Sequence, residues 1–126
     1  MSFDDDPASD ERRRSPRVRV NEVVQFEVGG RRVVGLLTLI NDAGFFVTTR
    51  HFLEPGAVAS FEIDLPDAGR FLPVTGEVVL VNGPSRYDWR MSIGMAVRFE
   101  SMDPITRHII DAYLDRSRSM LGQRAS

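Results

Sequence analysis

Five arginines fall within eight residues: Arg12, Arg13, Arg14, Arg17 and Arg19, in the stretch ERRRSPRVRV that precedes the first apolar run. Arginine is planar, permanently charged and able to fork two donors onto phosphate oxygens. Its guanidinium plane also stacks on a purine. Pro16 fixes its own backbone and disfavours helix at Ser15. The cluster therefore reads as an extended arm at the mouth of a strand. Taken alone it fits three roles: an anion-binding arm, a solvated basic run, or sequence-independent nucleic-acid binding. The last is disfavoured by the acidic balance of the chain, and no strand interleaves basic with aromatic residues.

A second group with chemical potential is TLINDAGFFVTT. Asn41, Asp42 and Gly44 are turn residues, and between two strands they fit a plain hairpin. They also fit a turn whose side chains and backbone amides meet a ligand, with Gly44 allowing close backbone approach. Tyr87 and Trp89 lie between Arg86 and Arg90 and read as a half-buried barrel rim. His51 and His108 have no neighbours at metal-ligand spacing, and there is no cysteine. No Ser-His-Asp or paired-carboxylate pattern stands out, so the sequence gives no support for an enzyme.

These residues must be held by something. The chain has 126 residues, enough for one domain with a modest core. No apolar run approaches the roughly 20 residues of a transmembrane helix. The start, MSFDDDPASDE, is acidic and is no secretion signal, so a cytoplasmic protein without membrane insertion is the expectation. Residues 1–11 hold five acids and no base, while the remainder holds 16 bases against 13 acids. The leader, 1–11, is expected to be disordered.

From Asn21 the pattern alternates with period two. Val24, Phe26 and Val28 share one face of NEVVQFEV. RVVGLLTLIN is apolar on both faces, as in a strand buried on both sides or bent at Gly35. FFVTT, AVASFEIDL and FLPVTGEVVLVN follow, the second of these with Ala59, Phe61, Ile63 and Leu65 inward. MSIGMAVRF alternates with Met91, Ile93, Met95, Val97 and Phe99 on one face. Six strands at short spacing predict an all-β barrel or sandwich. Then the period changes. Asp103 is an N-cap, Pro104 fits the first turn, and Ile105, Ile109, Ile110, Tyr113 and Leu114 form a helical stripe. Residues 12–117 are the expected domain and 118–126 a frayed tail.

RRRSPRVRV before a first strand, a G-F-F-V turn and strand, VTGEVVLV, then IGMAVRF followed by a helix: this arrangement resembles the PilZ domain family over residues 11–117. The resemblance implies a six-stranded antiparallel barrel with a C-terminal helix, in agreement with the periodicity. It also implies a receptor for cyclic di-GMP, a ligand with two phosphates and two guanines, and no cofactor. The family's R-x-x-x-R motif matches Arg13 to Arg17, which by resemblance hold guanine and phosphate, with Arg12 assisting. The family's (D/N)-x-S-x-x-G motif, aligned on Gly44, places Asn41 at the serine and Leu39 at the acidic or amide position. Leu39 can neither donate nor accept, and Asn41 or Asp42 would have to compensate. The implied ligand set is Arg12, Arg13, Arg17, Asn41, Asp42 and Gly44. The implied role is an adaptor whose arm closes on the barrel and alters a surface read by a downstream protein partner, not DNA. The alternative is an interaction module that has lost the ligand.

Overall fold

The computed structural model describes residues 17–125, with side chains as far as Ser119. The acidic leader and Arg12, Arg13 and Arg14 lie outside the described residues. Six strands close into a barrel in the order β1-β2-β3-β6-β5-β4, all neighbours antiparallel. They are β1 (Val18–Val28), β2 (Arg31–Ile40), β3 (Gly44–Thr48), β4 (Val58–Asp64), β5 (Phe71–Asn82) and β6 (Gly94–Ser101). One helix, α1 (Pro104–Ala125), follows. The expected barrel with a C-terminal helix is the observed fold.

The first hairpin turns on Gly29 and Gly30, at φ 57° and 79°. Two consecutive left-handed residues give a turn whose twist matches the strands it joins. The interior is built from the alternating positions: Val24, Phe26, Phe61, Ile63, Leu72 and Val78 are almost fully buried. Phe61 is flanked by Phe26 and Phe45 at ring-centroid distances of 5.5 and 5.3 Å, tilted and edge-on. Such geometry adds to area burial.

β1 begins at Val18, earlier than expected, so Arg19 is a strand residue. β2 is not buried on both sides, because Val34 and Leu36 are exposed. Its irregularity falls between Leu37 and Leu39, not at Gly35. Gly35 instead faces the interior, where a Cβ would meet the Val47 methyl at 2.6 Å. β6 begins at Gly94, which leaves Met91 and Ile93 in the preceding loop. The cause is Asn82, 2% exposed. Its Nδ2 donates to the carbonyls of Asp88, Met91 and Ser92 at 3.0, 3.2 and 2.9 Å. Its Oδ1 accepts from the Asp88 amide at 2.6 Å. A buried amide satisfied this way fixes the loop rather than a strand pair.

Asp103 caps α1 as predicted. Its Oδ1 accepts from the Thr106 amide at 2.8 Å, and Thr106 Oγ1 donates to its Oδ2 at 2.9 Å. That second bond lets Thr106 be fully buried, so the inward stripe starts there and Ile105 is 63% exposed. Ile110 and Leu114 complete the stripe and join the barrel core. The helix runs through to Ala125. No proline interrupts it.

β3 and β6 run very close. A Cβ at Gly44 would overlap the Val97 carbonyl, and one at Gly94 the Val47 carbonyl. Gly94→Ala should therefore cost about 2–3 kcal/mol, the upper part of the overpacking range. Urea unfolding of the variant beside the wild type measures it; an unchanged midpoint would refute the close approach.

Candidate functional site

Register brings two of the sequence groups to one edge of the barrel. Val18 pairs with Ile40, so Arg17 stands one residue before that pair and Asn41 one residue after it. Arg17 is exposed. Asn41 is 7% exposed, and its Oδ1 accepts from the Ala43 and Gly44 amides at 2.9 and 3.1 Å. Its own amide donates to the Gly44 carbonyl at 2.9 Å. Asn41 is thus the residue that shapes the turn from within. Gly44 is required by the β6 backbone beside it, which accounts for the glycine without any ligand.

Asp42 faces the helix. Its carbonyl accepts from Arg107 Nη1 at 3.3 Å, and its carboxylate accepts from Arg118 Nη1 at 3.4 Å. Arg107 also lies over the Phe99 ring, 5.4 Å from its centroid. The structure therefore gathers Arg17, Asn41, Asp42 and Gly44, while Arg12 and Arg13 lie outside the described residues. It adds arginines from α1 that the sequence reading left out of the site. A signal for them existed: Arg107 and Arg118 are eleven residues apart, three helical turns, and so share a face.

The outer face beside this turn is apolar. Leu39 pairs with Arg19 on β1 and with Phe46 on β3. Phe46 pairs with Ala96, which pairs with Leu80. Neither Leu39 nor Phe46 joins the main core cluster, although Phe46 is itself buried, at 7% exposure. The Phe46 ring lies over Gly94, where a Cβ would stand 2.9 Å from its Cε1.

Tyr87 and Trp89 are not a half-buried rim. They are 57% and 79% exposed, on the loop that Asn82 holds, above an open groove of about 680 Å³. The groove belongs to that loop, not to the Asn41 turn. Asp88 accepts from Arg90 Nε and Nη2, both at 3.0 Å. That bonding holds the Asp88 carboxyl below the usual carboxylate range and raises Arg90. The Thr106 bonds likewise lower Asp103. Where α1 meets β1, burial and then the Asp64 charge raise Glu22, and burial and then Glu22 raise Tyr113. Among the described residues no cluster of His, Asp or Glu could hold a metal, and no helix is long and apolar enough to cross a membrane.

The arrangement can hold an anion. Arginines approach the turn from β1 and from α1, and an apolar floor lies beside it. The family model described as PilZ domain matches residues 11–116. No curated protein matches. Among solved structures, the Bacillus subtilis inhibitor of motility (MotI/DgrA) superposes with a TM-score of 0.70 at 17% identity, over 87% of this chain and 52% of that one. The chain thus spans about half the length of that protein. The PilZ domain with c-di-GMP of YcgR from Escherichia coli superposes with a TM-score of 0.65 at 15% identity, over 90% of this chain and 97% of that one. At these identities the likeness is one of fold.

The Asp42–Arg118 pair is partly exposed and contributes no more than about 1 kcal/mol. Asp42→Ala should leave global stability within that margin. It should nonetheless speed amide hydrogen exchange in the 114–119 turn of α1. Unchanged exchange there would show that the pair does not hold the helix.

Proposed function

This chain belongs to the PilZ domain family, and from that premise we propose that it is a binding module for cyclic di-GMP, not an enzyme, acting through a downstream protein partner. The observation that carries the reading is the Val18–Ile40 pair. It sets the last arginine of the R-x-x-x-R arm, Arg17, beside the Asn41–Gly44 turn. Arg13 and Arg17, assisted by Arg12, hold phosphate and guanine as the arm closes on the barrel. The turn supplies backbone and side-chain groups from Asn41, Asp42 and Gly44. Closing an arm around a ligand changes the surface offered to a partner. A cytoplasmic site of action fits a soluble second messenger.

One observation favours a second reading, an interaction module without the ligand. Leu39 offers no hydrogen bond, the Asn41 Oδ1 is committed to the turn, and Asp42 faces α1. A polar ligand edge left unpaired costs roughly 1–3 kcal/mol, which is up to about a hundredfold in affinity.

Calorimetric titration with cyclic di-GMP separates the two. The receptor reading expects saturable binding by the wild type and its loss in Arg13→Ala/Arg17→Ala. Absence of binding at high ligand concentration would leave the interaction module. A Leu39→Asn variant restores an amide at the first position of the second motif, and its binding should tighten by about tenfold or more. An affinity unchanged from wild type would show that position 39 does not meet the ligand.

A further inference from the structure

The second motif lacks its polar group at Leu39, yet the residue facing Leu39 across the strand pair is Arg19. Paired residues on neighbouring antiparallel strands have Cβ atoms about 5 Å apart on one face of the sheet. That face is the outer one. Val18 and Ile40 point into the core, so their neighbours Arg19 and Leu39 point out. Two irregularities flank the pair. β1 carries an extra residue between Arg19 and Glu22, and β2 carries one between Leu37 and Leu39. Without the second, Leu39 would follow the inward Leu37 onto the inner face. Bulges commonly re-aim a side chain beside a functional site.

Arg19 is exposed, with no carboxylate partner among the described residues. Arg17, two residues back and just before the strand, is exposed as well. Beside Arg19 the half-buried Leu39 makes an apolar floor, with the buried Phe46 packed next to it. A purine laid on that floor would present its edge to Arg19, and a guanidinium forks two donors onto guanine O6 and N7. We propose that Arg19 reads a guanine edge of the ligand and so replaces, from β1, the polar group that β2 has lost at Leu39. This rests on the receptor reading above and adds a specificity-determining residue to it.

The test is titration of wild type, Arg19→Ala, Arg19→Lys and Arg19→Ala/Leu39→Asn with cyclic di-GMP and with cyclic di-AMP. Thermal unfolding of each variant checks that the exposed substitution leaves the barrel intact. Adenine offers a donor where guanine has O6, so a residue that forks O6 and N7 discriminates between the two ligands. Arg19→Ala should weaken cyclic di-GMP binding by about 10- to 100-fold, and shrink its preference over cyclic di-AMP by a similar factor. Arg19→Lys, which lacks the planar fork, should not restore the preference. Adding Leu39→Asn to Arg19→Ala should recover part of the affinity, a non-additive pair. Arg19→Ala that binds like the wild type would overturn the proposal while leaving the receptor reading in place. So would an equal loss for both ligands, which would mark Arg19 as a phosphate contact. A wild type that binds neither ligand would overturn both readings together.

Discussion

The closeness of β3 and β6 governs the molecule. At both ends of their ladder a side chain is excluded by the opposite carbonyl, so Gly44 and Gly94 are obligatory. β3 has only five residues, and a strand that short holds its place in a closed barrel only if its partners seat tightly. This contact fixes where β3 begins and therefore where the Asn41 turn stands. It also leaves a bare patch over Gly94 that the Phe46 ring covers. Position 44 is then glycine for a reason internal to the sheet. A family motif that ends in glycine here marks backbone packing as much as ligand approach.

From that turn the structure extends in two directions. Toward β1, the Val18–Ile40 pair sets Arg17 beside the turn. Toward α1, Arg107 and Arg118 reach Asp42, and Arg107 rests on Phe99, whose ring is 5.6 Å from Phe45 in the core. Arg17, the turn and the helix therefore meet at one edge of the barrel. Asp42 is the single carboxylate within the turn, and cationic groups approach it. An anionic ligand arriving there would compete with Asp42 for them, which is a direct physical route from an occupied edge to the helix.

The strands were legible because one face of each is buried, and period two is the mark of that burial. Phe26, Phe61 and Ile63 fall where the alternation puts them. What the alternation could not convey is where it breaks. The bulge before Leu39 reverses its facing, and nothing in the run VVGLLTLI distinguishes Leu37, inside, from Leu39, outside. The same limit applies to Ile105 and Thr106. Hydropathy puts the isoleucine inside, but a hydroxyl already bonded to its capping aspartate is cheap to bury. Asn82 is the clearest case. An asparagine at the end of an apolar strand reads as a turn residue, yet it is almost fully buried and organises the loop that follows. Of the candidate site, the adjacency of Arg17 and the turn follows from strand pairing. The roles of Asn41 and Asp42 depend on side-chain partners that only the folded chain supplies.

That loop leaves the barrel at the Thr48 end of β3, whereas the Asn41 turn sits at its Gly44 end. It carries the protein's one tryptophan, held out in water by a clamped backbone. The molecule thus has a built-in optical probe at a single known place, remote from the arginine edge. Ring burial there would shift its emission to shorter wavelength without any label. Ligand seated at the arginine edge should be nearly silent to it, and a protein docking on the loop should not. One fluorescence trace could therefore tell the two kinds of encounter apart in the same cuvette.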